Sequence, residues 1–443
     1  MPTIAYLAIQ FPSAVEPYVT EEIAELRSRG FQVIPGSVRK DTSRDGIRQE
    51  SELETVVLQP IQVIIAMRAL WLCIRHWGRI ADLMRRIVLQ GRESPMQRIK
   101  ALAHTWLGAC YALRLEGREV EHIHAHHGYF GSWIAMAAAR LLDVTFSLTL
   151  HGSDLLLHGV YLDTKLENCR FCLTVSEYNR RYILEKYPAV EAKKVLVSRL
   201  GVCIPECKGP PGFARGIGSH EPSPDPNSDP SSELSVLAVG RLHAIKDHAF
   251  LVRACAQLRA CRLRFECLIA GEGPERGNLE SLIRKYGLRD RVRLLGHVPN
   301  EQIDSLYARA DVVVLTSRSE GIPLVLMEAM ARGKLVLAPE ITGIPELVIA
   351  GKTGFLYKPG SLADFVARLL FLSLVHAHQR PDQSPDILSA AKQFDWIRHG
   401  ARVQVRHNFN RTKNLESFGD LFVQRTVPQG RRLRDEDLVL QQI

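Results

Sequence analysis

Short apolar runs alternate with amphipathic segments along most of the chain, and that alternation predicts its elements. In the first half TIAYLAI predicts a buried strand, VTEEIAELRSRG a helix ending at Gly30, and FQVIPGSV the next strand. VEHIHAH, FSLTLHG and CRFCLTVS predict further strands, separated by helical patterning such as GSWIAMAAARLL. Strands and helices in alternation predict a parallel sheet covered on both faces. Between Pro205 and Glu233 the pattern lapses into a run rich in Pro, Gly, Ser and Asp. Such a run buries too little surface to offset the entropy of ordering, so it predicts a flexible connector and a domain boundary. The alternation then restarts: LSVLAVG, FECLIAG, VRLLGHV, DVVVLTS and KLVLAP predict strands, each followed by a helix. The expected fold class is α/β with two Rossmann-like domains. The first is expected over residues 1–204 and the second over 234–393, with 205–233 as linker and 426–443 as a loosely ordered charged tail.

Composition narrows the class. A chain of 443 residues exceeds what one core usually organises. An apolar fraction of 46% and a charged fraction of 24% are ordinary for a globular protein. The net charge of +9 favours anionic partners: nucleic acid, an anionic membrane leaflet or a phosphorylated substrate. No nucleic-acid recognition module accompanies that charge, so no nucleic-acid partner is expected. The opening MPTIAYLAIQ lacks a basic start and a cleavage-like site. The most apolar stretch, Val56 to Ile74, is interrupted by Gln59, Pro60, Gln62 and Arg68, short of the ~20 residues a spanning helix needs. A cytoplasmic protein with its nine cysteines reduced is expected.

The segment DVVVLTSRSEGIPLVLMEAMARGKLVLAP carries the most chemistry. A strand ends in a Ser/Glu/Gly loop, and Pro323 suits the first position of the following helix. The amides of Gly321, Ile322, Leu324 and Val325 would then face the loop, a ready site for a diphosphate. Glu328 stands among apolar neighbours on that helix and needs hydrogen-bond donors, which a ribose diol would supply. In LSVLAVGRLHAIKDH, Gly240 ends a strand, and Arg241 and Lys246 follow where ligands collect in parallel sheets. Two cations there would stabilise charge on a departing diphosphate. Gly271 and Gly273 of the AGEGP turn would let backbone approach a ligand closely.

The run from Val239 to Pro359 resembles the C-terminal domain of the family-4 retaining glycosyltransferases, the glycosyl transferases group 1, which have the GT-B fold. Glu320 and Glu328 match that family's paired glutamates; GRLHAIK, LIAGEGP and TGIPELVIAGKTGFL match its other segments in order. The N-terminal half resembles it more loosely: LTLHGSD matches a His-Gly-x-Asp strand end, and PSAVEPYVTEEI resembles the start seen in exopolysaccharide and colanic-acid-type members. There Glu16 is retained, Pro17 and Tyr18 are substituted, and the Gly-Gly loop of many relatives is missing. The resemblance implies two domains facing across a cleft, with a segment over 394–425 returning to the first. It implies a hexosyltransferase-type enzyme moving sugar from a nucleotide sugar to a glycan or lipid-linked acceptor, with retention and no required metal or cofactor. It places His151 and Glu320 at the donor sugar, Glu328 on the ribose, and Arg241 and Lys246 on the diphosphate. Backbone from Gly296 to Val298 frames the base, and Glu16, His126 and Asp154 belong to the acceptor side. Bacterial exopolysaccharide or lipopolysaccharide synthesis is the implied setting. A nucleotide-sugar 2-epimerase of the same architecture and a non-catalytic sugar-nucleotide-binding scaffold are the alternatives.

Other features admit plainer readings. The run His122, His124, His126 and His127 invites a metal reading; His122, His124 and His126 would share one face of a strand, but Glu119 and Glu121 would point to the other, so no metal site is expected. Cys169 and Cys172 fall on opposite sides of an apolar strand pattern and are expected to be structural thiols, not zinc ligands with Cys203 and Cys207. In the basic amphipathic region from Met67 to Lys100, arginines interleave with Trp71, Trp77, Leu and Ile. Two readings stand: helices lying on an anionic bilayer, or helices packed on the first domain with a solvated basic face. Its place in the acceptor-side domain favours a membrane-linked acceptor and peripheral contact with the inner face of the membrane.

Overall fold

The structure, a computed structural model, describes residues 2–13, 16–39, 55–205, 233–374 and 385–427. Most of the expected linker and most of the expected tail lie outside the described residues. The chain forms two compact units, Met1–Arg199 with Lys413–Ile443, and Leu200–Thr412.

The first unit is built on seven parallel strands: β1 (Thr3–Gln10), β2 (Gln32–Arg39), β3 (Val56–Val57), β4 (Val120–His126), β5 (Thr145–Leu150), β6 (Phe171–Thr174) and β7 (Val195–Val197). Their order is β3-β2-β1-β4-β5-β6-β7. Its helices are α1 (Pro17–Ser28), α2 (Val63–Arg75), α3 (Trp77–Val88), α4 (Pro95–Leu115), α5 (Phe130–Leu142), α6 (Ser153–Leu156), α7 (Leu162–Asn168) and α8 (Glu177–Lys186). Alternate residues of β1 feed opposite cores, as the two-residue repeat of a strand requires. Ala5 and Leu7 pack with Ala109, Ile134 and Leu148 on one face. Ile4, Tyr6 and Ala8 pack with Ile23, Phe171, Phe418 and Phe422 on the other.

The second unit has six parallel strands: β8 (Leu234–Val239), β9 (Phe265–Ala270), β10 (Val292–Gly296), β11 (Val312–Val314), β12 (Leu335–Pro339) and β13 (Phe355–Tyr357). The order β10-β9-β8-β11-β12-β13 is that of a Rossmann sheet, reversing between β8 and β11. Its helices are α9 (His248–Ala260), α10 (Arg276–Lys285), α11 (Asn300–Arg309), α12 (Leu324–Ala331), α13 (Ile344–Leu347), α14 (Leu362–Leu372) and α15 (Pro385–Asn408). The last helix, α16 (Arg411–Thr426), belongs almost wholly to the first unit.

Each half is thus the α/β class read from the pattern. The return segment begins later than residue 394. Phe394 and Ile397 of α15 join the core around β8 and β9, and Ala401 and Val405 join the core around β12. This helix therefore completes the second unit, and the passage to the first lies at 412/413 rather than 393/394. Strands β3, β7 and β13, of two or three residues each, are too short to have shown a period.

Candidate active site

In a doubly wound sheet, ligands gather beyond the carboxyl ends of the strands where the order reverses. In the second unit that point lies between β8 and β11. The loop after β8 carries Gly240, Arg241 and a short 3-10 turn, Ala244–Lys246. The loop after β11 is tied to it: Arg318 N–H donates to the Ile245 carbonyl at 2.8 Å, and Thr316 Oγ1 donates to the Lys246 carbonyl at 2.9 Å. These bonds fix Lys246 beside Glu320, with Nζ 2.6 Å from Oε1 in a largely buried pair. Thr342 Oγ1 donates to the Glu320 carbonyl at 2.7 Å and holds the same loop from a third strand end.

Helix α12 starts at Leu324, so Pro323 is its cap residue and not its first helical residue, as the sequence had suggested. The shift follows from its ψ of 123°, which is extended. The amides of Gly321, Ile322, Leu324 and Val325 find no acceptor among the described residues. The hydroxyls of Ser317 and Ser319 are buried and likewise unpaired. One turn into α12, Glu328 Oε2 accepts a 2.8 Å hydrogen bond from the hydroxyl of Tyr307, which is fully buried on α11. Burial raises the Glu328 pKa, and the Tyr307 bond opposes that rise. Tyr307 was not legible as a partner, because nothing in the sequence spacing links α11 to α12. Arg241 is exposed; its carbonyl accepts from His243 N–H at 2.8 Å, and its guanidinium makes no ion pair among the described residues.

Gly271 and Gly273 lie against the loop after β8. A Cβ on Gly271 would stand 1.9 Å from the Gly240 carbonyl oxygen, and one on Gly273 would stand 2.4 Å from that of Leu242. Both have positive φ, 150° and 157°. What these glycines admit is the loop after β8, which bonds to theirs through Gly240 N–H to the Ala270 carbonyl and Leu242 N–H to the Glu272 carbonyl, each 2.9 Å. Gly296 joins the same stack, accepting from Gly271 N–H at 2.8 Å; Val298 lies beyond it, half-exposed.

The first unit reverses between β1 and β4, and the expected acceptor-side residues collect there. His127 Nε2 lies 2.8 Å from Glu16 Oε1, and its Nδ1 lies 3.4 Å from Asp154 Oδ2. Burial would lower the His127 pKa, but the two carboxylates raise it to about 10. Asp154 is fully buried; burial opposes its ionisation, yet His127 and amide donors hold its pKa well below the usual range. Its donors are the N–H groups of Gly128 at 2.8 Å, His151 at 3.1 Å and Gly152 at 2.9 Å. The His-Gly-x-Asp sequence is thus a turn whose aspartate bonds its own first two amides. The His151 carbonyl accepts from Asn179 Nδ2 at 2.6 Å.

His151 Nε2 meets His126 Nε2 at 2.7 Å, and His126 Nδ1 meets the Tyr6 hydroxyl at 3.0 Å. Tyr6 in turn donates to Glu22 in a short bond. With the Tyr6 proton committed to Glu22, its oxygen accepts from His126 Nδ1–H, and the two histidine Nε2 atoms share one hydrogen bond. Burial, then the charge of His127, pushes the His151 pKa well below 6.5, so its ring is neutral. Tyr6, Glu22 and Asn179 were missed in the sequence, and His127 entered there only as part of the histidine run. The signal available was Glu22 in VTEEIAEL, a carboxylate on the buried face of α1.

His122 and His124 do share a strand face, but each ring spends both nitrogens on hydroxyls of β5. His122 meets Thr145 and Ser147, and His124 meets Ser147 and Thr149, at 2.7 to 3.0 Å. His126, His127 and His151 each bring a ring nitrogen within 4.8 Å of one another. Cys169 and Cys172 are free buried thiols, and Cys207 lies outside the described residues.

Residues 221–378 match the family described as Glycosyl transferases group 1. WcaL of Escherichia coli K12, named for colanic acid biosynthesis as a glycosyltransferase, is 31% identical over 224 residues, 49% of this chain and 48% of that protein. The chain matches about half the length of such curated relatives, or less. Among solved structures, sucrose-phosphate synthase from Thermosynechococcus elongatus superposes with a TM-score of 0.67 at 18% identity, covering 96% of this chain and 99% of that one. Anabaena HepE in complex with UDP-glucose gives 0.65 at 18% identity, covering 96% and 100%. These likenesses carry the fold, two Rossmann-like units of the GT-B class. The second unit of this chain carries a glycosyl transferases group 1 domain.

Proposed function

We propose that the protein is a glycosyltransferase of the group 1 family, moving a sugar with retention from a nucleoside-diphosphate sugar to a glycan or lipid-linked acceptor. The observation that carries the reading is the Lys246–Glu320 pair beside the unpaired amides of Gly321 to Val325. A diphosphate there meets a helix N-terminus and a cation, and a pentose meets Glu328, whose Oε1 accepts no hydrogen bond among the described residues. As the bond from the sugar's C1 to the diphosphate breaks, its electron pair leaves on phosphate. Lys246 and the amides stabilise that charge, with Arg241 joining from its exposed loop. Glu320 turns from Lys246 to the sugar, and the acceptor hydroxyl attacks C1 on the face the diphosphate leaves, passing its proton to the departing phosphate oxygen. His151, neutral, contacts the sugar; Glu16, His126 and Asp154 shape the acceptor side. No metal is required in this scheme.

HepE was solved with UDP-glucose, which makes uridine the first base to test. WcaL is named for colanic acid biosynthesis, which supports a setting in bacterial exopolysaccharide or lipopolysaccharide assembly, inside the cell. The test is a thermal-shift panel of nucleotide sugars, followed by transfer assay and proton NMR of the product's anomeric centre. A ligand at 100 times its Kd should stabilise the protein by about 2.7 kcal/mol. Inversion at the anomeric carbon refutes retention. Rapid release of a 2-epimer without acceptor would replace transfer by epimerisation, and donor binding with no turnover would leave a scaffold.

A further inference from the structure

Helix α2 is apolar apart from Arg68 and Arg75. Its inner side, Ile65, Ala69, Leu72 and Cys73, packs against the core of the first unit, and Trp106 Nε1 donates to the Ala66 carbonyl at 3.2 Å. Its outer side presents Val63, Ile64, Met67, Leu70, Trp71 and Ile74, each 52–78% exposed. These fall at helical spacing and form one stripe, which continues into exposed Trp77 at the start of α3. A monomer in water rarely leaves so long an apolar stripe bare.

Charge says what covers it. Residues 61–100 hold eight Arg and Lys against two Asp and Glu, a net +6 of the chain's +9. Arg75, Arg85, Arg92 and Lys100 pair with no carboxylate among the described residues, and Arg75 lies over the Trp71 ring at 5.2 Å. Two copies of this chain meeting through the stripe would bring like charges together. The preceding segment 40–54 offers only Ile47 and Leu53 as large apolar residues, too few to cover it. An anionic bilayer answers both features, since acyl chains take the stripe and headgroups take the cations.

We propose that α2, with the start of α3, is a membrane-docking face that lies in the interface of an anionic phospholipid bilayer. With 13 residues α2 is about 20 Å long, short of the ~30 Å hydrocarbon core, and no described helix is long and apolar enough to cross. Trp71 and Trp77 sit at the headgroup level, and the arginines reach outward to lipid phosphate. The face lies in a different unit from the nucleotide-binding residues, so the proposal stands apart from the donor-site reading.

The test is co-sedimentation of the full chain with vesicles of phosphatidylcholine, with and without phosphatidylglycerol. Binding to the anionic vesicles is expected, falling more than about tenfold in Trp71→Glu/Ile74→Glu, and falling similarly in Arg85→Glu/Arg92→Glu at low salt but less at high salt. Each variant should keep the wild-type melting temperature and the same stabilisation by nucleotide sugar, which separates docking from folding and from donor binding. Equal binding by wild type and Trp71→Glu/Ile74→Glu overturns the proposal. So does failure to bind any vesicle, or a wild-type dimer that these substitutions split. If no nucleotide stabilises the protein while vesicle binding follows this pattern, the donor-site reading falls and the docking face stands.

Discussion

Lys246 Nζ and Glu320 Oε1 meet at 2.6 Å across the point where the strand order of the second unit reverses. In the first unit, His127 Nε2 and Glu16 Oε1 meet at 2.8 Å across the equivalent point. Each pair joins the loop after the first strand of its unit to the end of the fourth, where a parallel sheet leaves a crevice. Each unit thus sets a cation against a carboxylate at its own reversal.

Lys246→Ala should lower transfer by about 10²- to 10³-fold in kcat, the usual cost of losing one transition-state charge donor. It also leaves Glu320 without its cation, so the melting temperature should fall slightly. A steady-state assay with calorimetry for nucleotide binding separates the two. Retained kcat would remove Lys246 from the chemistry.

Tyr307→Phe takes the donor from Glu328 without changing its place in the core. Loss of a hydrogen bond to a charged group costs about 1.5–3 kcal/mol. Nucleoside diphosphate affinity, read by isothermal titration, should weaken roughly tenfold or more, while Tyr307→Phe in a Glu328→Gln background should add little.

The pH dependence has a definite sign at His127. Its folded pKa of about 10 lies above an ordinary value near 6.5, so the stability from its pairing with Glu16 and Asp154 is complete below about pH 6.5. It is lost as pH rises toward 10. Urea melts of wild type and His127→Asn should therefore differ most near pH 6 and converge by pH 10. A gap that widens with pH would contradict the ion pairing.

Gly271→Ala places a methyl group 1.9 Å from the Gly240 carbonyl in a positive-φ conformation. A destabilisation of about 2–4 kcal/mol is expected, in the range of overpacking joined to backbone strain. Denaturant unfolding checks it, with Gly277→Ala, which meets nothing within 4 Å, as the control.

Much of this was legible because physics at the residue level is local there. Strands β8 to β12 of the second unit are near-continuous apolar runs, and each appears close to where its pattern put it, whereas β13 showed no pattern. Glu320, Lys246 and the amides after Gly321 stand at strand and helix ends, positions that sequence marks clearly. The partners reached through the fold were not legible. Tyr307 meets Glu328 from another helix, Tyr6 and Glu22 reach His126 from β1 and α1, and Asp154 turns back on His151. The loop that Gly271 admits was not legible either, because a glycine at a strand end looks the same whether its neighbour is a phosphate or another loop. Helix α15 read as part of the return because its apolar spacing does not say which unit it covers.

The order in which this chain leaves the ribosome does not match the order in which its units can finish. Phe418 and Phe422 of α16 pack against Ile4, Tyr6 and Phe171, the face of the first sheet that α1 covers only in part. The ring of Phe422 lies 5.1 Å from that of His124 and 5.3 Å from that of Phe171. Until α16 is translated, those strands keep an open apolar side. The half that is synthesised first is therefore the half completed last, and a nascent protein halted before Lys413 presents that surface to chaperones.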